Sequence, residues 1–317
     1  MGFKNSKVAI VGAGNVGSTT AYSIINQGLC EEVVIIDINK DKAYAEAMDM
    51  QHAIYFLNRN INVHAGEYSD CGDADIVIIT ASAPMPKESN DRLAMLTPSM
   101  NIIKSITESA MASGFDGIFI VVSNPVDIMT YYVQKVSGLP ARHVIGSGTA
   151  LDTARACCHL ADAYDLDAKS VEAFIIGEHG DTETISWSTA TIGGKNLSDV
   201  LKDNESRSHE IAKDKVLAWT KQSGWEIFSR KGNTCYGIAS STTAIAKSIL
   251  FNENRILPVS VKLEGQYGLS DLYLSVPTIL SSDGAKEIVE IRLAPEDQAD
   301  LNHSAEVIRS YYKDLNI

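Results

Sequence analysis

Cysteine is scarce in this chain, and long apolar runs and an excess of positive charge are missing from it. The five cysteines are odd in number and lack CxxC spacing, which is not the pattern of a disulfide framework or a zinc site. No apolar run approaches the ~18 residues of a membrane span, and the N-terminal segment has no signal-peptide core. The net charge of -13 lacks the clustered Lys and Arg that nucleic acids and anionic membranes attract. These absences predict an acidic cytoplasmic protein without a resident metal.

Length and the order of the apolar segments bound the architecture. With 317 residues the chain is long enough for one large or two smaller domains, and it shows no internal repeat, low-complexity tract or flexible linker. In the first half, apolar strand-like runs alternate with helix-compatible stretches, which is typical of a doubly wound parallel sheet. These strands are predicted at 7–11, 33–37, 76–80 and 118–122, and helices at 18–28 and 93–113.

The second half has a mixed pattern of hairpin-like strands and helices. Strands are predicted at 171–176, 184–192, 256–263, 272–277 and 287–293, and helices through Arg155, at 206–224 and at 295–316. We therefore predict an α/β protein in which a Rossmann domain, residues 1–147, is followed by an α+β domain, residues 148–317.

A glycine-rich turn follows the first predicted strand. Gly12, Gly14 and Gly17 form a GxGxxG pattern that opens a helix, and Asp37 ends the next strand 20 residues after Gly17. Such a turn lets the backbone approach a pyrophosphate at a helix N-terminus, and an acid at this distance binds ribose hydroxyls. The sequence thus predicts a dinucleotide site, and the charge of Asp37, which would repel a 2′-phosphate, favours NAD over NADP.

A histidine stands at the end of an apolar run, inside a glycine-flanked turn, at His179. Upstream, Asp152 and Arg155 are three residues apart and share one helical face. A carboxylate can orient a histidine and hold its positive charge, and an arginine can clamp a substrate carboxylate through two parallel hydrogen bonds. Because histidine titrates near neutral pH, the three residues indicate a proton donor and acceptor above an acid substrate.

These motifs occur in an order that resembles the NAD-dependent L-lactate and malate dehydrogenase family over essentially the whole chain. The resemblance rests on the glycine turn, Asp37, Asp91-Arg92, Ser123-Asn124-Pro125, 146–155 and 177–181. It implies that His179 is the acid/base group and Asp152 its partner, and that Arg155 clamps the substrate carboxylate. It also implies that Arg92, on a mobile loop, polarises the reacting carbonyl and that Asn124 lies between nicotinamide and substrate.

The resemblance also implies cofactor contacts and a quaternary state. NAD is the expected cofactor, a homotetramer the expected assembly, and a small 2-oxo or 2-hydroxy acid the expected substrate. Besides the three glycines and Asp37, cofactor contacts are expected at Asn15, Val16, Thr80, Ala81, Asn101, Asn124 and Ile238.

The specificity loop departs from the family pattern. Its deciding residue is glutamine in typical lactate enzymes and arginine in malate enzymes, whereas here counting from the two ends gives Met85 or Pro86, with Lys87 next to them. An apolar residue there disfavours a second substrate carboxylate, because no countercharge would balance it unless Lys87 turned inward. Thr234 takes the position that closes the side-chain pocket. L-lactate is therefore the leading substrate, followed by branched L-2-hydroxy acids such as 2-hydroxyisocaproate, and then malate.

A second departure concerns activation. Family members that bind fructose 1,6-bisphosphate use an arginine and a histidine at two positions that are Cys157 and Glu172 here. An acid would repel a bisphosphate, so no activation by this sugar is expected.

Two rival functions are weaker: an NAD-using glycosidase would need a metal-binding cysteine where Ser123 stands, and a non-enzymatic role fits poorly with a complete catalytic set.

Overall fold

A parallel sheet forms the first half of the molecule in the computed structural model, which describes residues 5–83, 92–203 and 211–315. Its six strands are β1 (Lys7–Val11), β2 (Glu32–Ile36), β3 (Asn62–Ala65), β4 (Ile76–Ile79), β5 (Ile118–Val121) and β6 (Val144–Gly146). They lie in the order β6-β5-β4-β1-β2-β3, all parallel. The apolar runs are buried on both faces, as expected for strands between two helical layers.

Helices cover both faces of this sheet. They are α1 (Asn15–Gln27), α2 (Lys40–Ile54), α3 (Arg92–Ala112) and α4 (Val126–Ser137). This strand order reverses between β1 and β4, which is the switch point at which doubly wound sheets bind dinucleotides. The predicted doubly wound Rossmann fold is confirmed.

The sheet continues into the second half of the chain. Strands β12 (Arg255–Glu264), β13 (Ser270–Ser281) and β14 (Gly284–Ile288) form an antiparallel meander, and β12 joins β6 where Ser260 pairs with Gly146. One sheet of nine strands therefore runs through both halves. The strand predicted at 287–293 was wrong in its bounds, because a turn at Ser282 and Asp283 starts β14 earlier and the chain leaves the sheet after Ile288.

Five short strands and five described helices complete the second half. The strands are β7 (Val171–Glu172), β8 (Ile175–Ile176), β9 (Thr184–Ile185), β10 (Thr191–Ile192) and β11 (Lys195–Asn196). The helices are α5 (Ala150–Tyr164), α6 (Leu197–Asp203), α7 (Lys213–Lys231) and α8 (Tyr236–Leu250), and α9 (Pro295–Leu315) closes the described chain. A second apolar core under α5 and α7 includes Leu160, Ile175, Ile185 and Val216.

Two predicted strands of this half were wrong as single elements. The run 171–176 divides into β7 and β8, which belong to different sheets, and 184–192 divides into β9 and β10 around a helical turn at Trp187–Thr189. The chain changes direction at each break, so neither run pairs along its length with one partner. The helix predicted at 206–224 is described as Lys213–Lys231, and residues 204–210 lie outside the described residues.

In the described part of the chain, no helix combines the length and apolar character that crossing a bilayer requires.

Candidate active site

The glycine turn sits between β1 and α1, and each glycine is explained by its surroundings. Gly12 has a φ of +114°, and a Cβ there would lie 2.6 Å from Thr80 Oγ1; a Cβ on Gly17 would lie 1.8 Å from the Gly12 carbonyl oxygen. A Cβ on Gly14 would meet nothing within 4 Å. Gly12 and Gly17 are therefore required by the protein itself, whereas Gly14 leaves open space at the N-terminus of α1, where a pyrophosphate is held in such folds.

Asp37 is held at the carboxyl end of β2 beside this turn. Its Oδ2 accepts a 2.6 Å hydrogen bond from the Ala13 backbone N–H, and its Oδ1 accepts a 2.8 Å bond from that of Asn39. Thr80, at the end of β4, donates from Oγ1 to the Gly12 carbonyl at 3.0 Å. The residues present thus fit an NAD adenosine and pyrophosphate: open backbone at Gly14 and a carboxylate beside it.

His179, Asp152 and Arg155 come together as the sequence predicted they would. The His179 Nδ1 lies 2.6 Å from Asp152 Oδ2, and Arg155 Nη1 donates to Asp152 Oδ1 at 2.8 Å. The Asp152 side chain is 2% exposed, against 26% for His179 and 15% for Arg155. The Asp152 carboxylate is therefore shielded from solvent, while the His179 imidazole and the Arg155 guanidinium each remain partly accessible.

Two hydrogen bonds explain why these distant segments meet. The Thr149 hydroxyl donates to the Ile175 carbonyl at 2.5 Å, and the Ile175 N–H donates to the Thr153 hydroxyl at 2.8 Å. They fasten the start of α5 to β8, which ends directly before the His179 turn. The turn itself needs Gly177, whose φ is +97° and whose Cβ would lie 2.7 Å from Ser304 Oγ.

Asp127 is a site residue that the sequence reasoning missed. It is 1% exposed, and its Oδ2 accepts a 2.8 Å bond from the His179 backbone N–H. Its Oδ1 accepts a 2.5 Å bond from the Ser260 hydroxyl. Burial raises the pKa of Asp127 to about 6, although the bonds from Ser260 and His179 act in the opposite direction. An acid inside the apolar stretch after Asn124-Pro125 was the signal that could have identified it.

The electrostatics of the pair favour a protonated imidazole. Burial by itself lowers the pKa of His179, but the charge of Asp152 and the hydrogen bond to it outweigh burial and raise the pKa to about 9. Burial opposes ionisation of Asp152 as well, but His179 and Arg155 lower the pKa of its carboxyl. At neutral pH the pair is therefore an imidazolium beside a carboxylate, with a proton ready for transfer.

A cavity of about 350 Å³ extends from Val16, in the dinucleotide turn, to His179 and Arg155. Helix α1 packs against α8, which brings Val16 and Ile238 to one end of it. The predicted site residues that line it are Val16, Asn124, Arg155, His179, Thr234 and Ile238. The sequence reasoning missed four lining residues on α7, namely Lys221, Gly224, Trp225 and Phe228.

The aromatic residues of α7 could have been noticed in the sequence. Trp225 is 68% exposed although it is large and apolar, and it stacks on Phe228 with ring centroids 5.7 Å apart. Gly224 lies against Arg155, since a Cβ there would be 3.2 Å from Arg155 Nη2. Two exposed apolar rings on a polar helix indicate a functional surface, and here both rings line the cavity.

Several predicted residues cannot be placed in the cavity. Met85, Pro86, Lys87 and Asp91 lie outside the described residues. Arg92 is the first residue of α3, but its side chain is also outside the described part. Asn101 is exposed on α3 and Asn15 is exposed at the start of α1. Ala81 follows β4, where its carbonyl accepts a 2.5 Å hydrogen bond from the Ser123 hydroxyl.

One group of possible metal ligands occurs among the described residues. Atoms of Asp152, His179 and Glu183 lie within 4.8 Å of one another. The Arg155 guanidinium, 2.8 Å from Asp152, already supplies the positive charge at this carboxylate. The absence of a metal stays a prediction.

Comparison with known proteins agrees with both halves of the site. Residues 6–146 match the model of the lactate/malate dehydrogenase NAD binding domain, and residues 149–315 match that of the alpha/beta C-terminal domain of the same enzymes. L-lactate dehydrogenase 3 of Bacillus cereus is 46% identical over 309 residues, 98% of each chain. L-lactate dehydrogenase 1 of Bifidobacterium longum is 44% identical over 310 residues, again 98% of each chain.

Solved structures give the same result. The minor L-lactate dehydrogenase of Enterococcus mundtii, in its ligands-bound form, is 40% identical with a TM-score of 0.92, covering 97% of this chain and 98% of that one. MGS-M5, a lactate dehydrogenase from a deep-sea metagenome library of the Medee basin, is 40% identical with a TM-score of 0.94, covering 99% and 100%.

The fold and the site together define an NAD-dependent oxidoreductase, since a dinucleotide turn and a histidine–carboxylate pair open into one cavity. The chain belongs to the lactate/malate dehydrogenase family. The NAD cofactor and the L-lactate dehydrogenase activity predicted from the sequence are confirmed by these likenesses.

Proposed function

We propose that His179 is the acid/base group of a reversible hydride transfer between NADH and pyruvate, and that Asp152 and Arg155 hold it and the substrate in place. One observation carries this proposal: the imidazole, the guanidinium and Asn124 line the same cavity, which reaches the dinucleotide turn. NADH, when bound, supplies the hydride. The residues of this chain bind the acid, orient it and move the proton.

The proton transfer is assigned to one atom. Nδ1 of His179 is engaged by Asp152, so Nε2 is the nitrogen that gives a proton to the pyruvate oxygen or takes it from lactate. Asp152 stabilises the imidazolium before transfer and fixes the ring orientation. Arg155 uses one nitrogen on Asp152, which leaves the rest of its planar donor fork for the substrate carboxylate.

Arg92 and Asn124 complete the proposed roles. Arg92 would stabilise the negative charge that develops on the substrate oxygen, a role in which one donor is worth about 3 kcal/mol. Asn124, which follows β5 and precedes a cis peptide bond to Pro125, would hold the substrate against the nicotinamide. Asn15, Val16, Thr80, Ala81, Asn101 and Ile238 remain proposed cofactor contacts.

Pyruvate is the proposed substrate because the predicted pocket wall is apolar. Met85 or Pro86 would face the substrate side chain, and Thr234, which lines the cavity, would close the pocket. Lys221 also lines the cavity, and one of its three ammonium donors is used by the Asp181 carbonyl at 2.8 Å. Longer aliphatic 2-oxo acids come second, because each methylene that fits gains about 0.8 kcal/mol.

The test is NADH oxidation with pyruvate, 2-oxoisocaproate and oxaloacetate, compared by kcat/KM. We expect pyruvate to lead and oxaloacetate to be the poorest of the three. Oxaloacetate in first place would show that Lys87 faces the substrate, and 2-oxoisocaproate in first place would show a deeper pocket than Thr234 suggests.

The same assay tests regulation. Cys157 is half-buried with its thiol against the Ala173 carbonyl, and Glu172 is exposed on β7. Neither residue fits a sugar bisphosphate, so fructose 1,6-bisphosphate should leave kcat and KM unchanged. We also propose that the protein is a homotetramer, which light scattering would check. The five free cysteines fit the proposed cytoplasmic location. The boundary between the two domains is proposed between residues 147 and 148.

A further inference from the structure

Glu183 is a buried acid next to the catalytic pair that no step of the proposed reaction uses. It stands four residues after His179, directly before β9, and is 4% exposed. Its Oε1 has no hydrogen-bond partner within the described part of the chain. A carboxylate in such a place would be costly, whereas a neutral carboxylic acid is tolerated far better.

The neighbours of Glu183 make ionisation harder still. One of its oxygens lies within 4.8 Å of ligand atoms of both Asp152 and His179. Asp152 and Arg155 face it from α5, His179 from the preceding turn and Lys221 from α7. Asp152 already carries the negative charge of the cluster, because Arg155 and His179 hold it there. Two carboxylates this close do not both ionise readily.

The proton balance follows from these contacts. Burial, and then the charge of Asp152, raise the pKa of Glu183 to about 8, against the opposite influence of His179, Lys221 and Arg155. Near neutral pH the Glu183 side chain is therefore a protonated, neutral carboxylic acid. At higher pH it loses that proton to solvent, and a second negative charge then stands beside the imidazolium.

We propose that Glu183 is a positioning residue that sets the proton affinity of His179 and keeps its imidazole protonated into the alkaline range. The inference rests on the proposed role of His179 as the proton donor to pyruvate. Because pyruvate reduction needs the imidazolium, an ionised Glu183 extends reduction to higher pH. Lactate oxidation needs the neutral imidazole, so the same charge moves the onset of oxidation to higher pH.

The test is the pH profile of kcat/KM in both directions for Glu183→Gln, from about pH 6 to about pH 10. The amide keeps the shape of the neutral acid but cannot ionise. Near pH 6 the variant should stay within about twofold of the unaltered enzyme. At alkaline pH the limb of pyruvate reduction should move to lower pH by about half a unit to one unit, and the acid limb of lactate oxidation should move the same way.

Three further variants sharpen the result. Glu183→Leu, which suits the buried position where Oε1 has no partner among the described residues, should show the same shift and replaces the Gln variant if that protein does not fold. Glu183→Asp keeps an ionisable group, so the alkaline limb of its pyruvate-reduction profile should stay closer to that of the unaltered enzyme. Glu264→Gln makes the same chemical change on an exposed residue of β12 and should not move either limb.

The outcomes separate this inference from the proposed function. An unmoved profile, or an equal loss of kcat/KM at every pH, would show that Glu183 only fills space and overturns the inference. Absence of pyruvate turnover in the unaltered enzyme overturns the proposed function instead. In that case the pH dependence of His179 acylation by diethyl pyrocarbonate, read by mass spectrometry, still measures its proton affinity, and a lower pKa in Glu183→Gln supports the inference.

Discussion

The nucleotide half and the catalytic half of this enzyme position their functional groups in different ways. In the nucleotide half, the turn and its acid are joined by a hydrogen bond across 24 residues, and steric contacts with the Thr80 hydroxyl and with the Gly12 carbonyl oxygen require Gly12 and Gly17 respectively. In the catalytic half, the His179 turn is held by Asp152, Asp127 and Ser304, which are 27, 52 and 126 residues away along the chain.

The difference shows what each half depends on. A site built mainly around one turn depends on few distant contacts, whereas a site assembled from four distant segments depends on the packing that brings them together. The pKa of His179 illustrates the second case, since it is set by Asp152 on another element rather than by its own turn. Mutations in the two halves should therefore separate cofactor binding from proton transfer.

The largest expected effect is on proton transfer alone. His179→Asn should lower kcat/KM for pyruvate by about 10³- to 10⁴-fold, because general acid catalysis of this size is lost. NADH binding, followed by fluorescence titration, should change less than about twofold. His303→Asn, on an exposed face of α9, is the matched control. A comparable loss of NADH affinity would show that the two halves are not separable.

Asp152→Asn should come next, with a loss of about 10²- to 10³-fold in pyruvate reduction near neutral pH. The carboxylate raises the pKa of His179, so the amide lets that pKa fall and the imidazolium is lost at lower pH. The alkaline limb of reduction and the acid limb of oxidation should both move to lower pH. Asp162→Asn, exposed on the same helix, should leave both limbs in place. A shift to higher pH would contradict the assigned pair.

A smaller effect is expected in the nucleotide half from Gly14→Ala. Its Cβ meets no protein atom within 4 Å, so the fold should be kept while the dinucleotide loses close approach to the backbone. We expect the Kd for NADH to rise about tenfold, or about 1.4 kcal/mol, without a change in Tm. Gly17→Ala is the contrast, because its Cβ would lie 1.8 Å from the Gly12 oxygen and should lower Tm. Equal behaviour of the two variants would refute the division of roles.

The smallest expected effect concerns the choice of dinucleotide. Asp37→Asn keeps an acceptor for the Ala13 N–H but removes the charge that would repel a 2′-phosphate. The preference for NADH over NADPH, as a ratio of kcat/KM values, should narrow by about three- to tenfold. Asp49→Asn, exposed on α2, should not change it. An unchanged ratio in Asp37→Asn would mean that shape rather than charge excludes the phosphate.

Sequence patterns predicted four of the six parallel strands of the first half but not β3, β6, α2 or α4, and they predicted the second half only in outline. Strands buried on both faces are continuous apolar runs, so β1, β2, β4 and β5 were visible directly. The strands β7 to β10 on either side of His179 are two residues long and belong to two small sheets, and no periodicity can be seen over so short a length. That is why 171–176 and 184–192 were each predicted as one strand.

Functional residues were predicted where the residue type and its local motif indicate a role, and they were missed where only the position in the folded structure indicates it. Asp152 and Arg155 stand at helical spacing, and His179 has the complementary chemistry inside a glycine-flanked turn. Asp127 and Glu183 are acids like many others in the sequence, and only burial beside His179 distinguishes them.

The sequence by itself determined the dinucleotide turn, the cofactor and the enzyme family, because these depend on short motifs whose backbone and side-chain chemistry is local. Only the tertiary structure decided which acids surround the imidazole, which face of α7 closes the cavity, and that one sheet runs through both halves. The physical reason is that burial and electrostatic coupling depend on distances in space, and residues far apart in the chain acquire those distances only when the core packs.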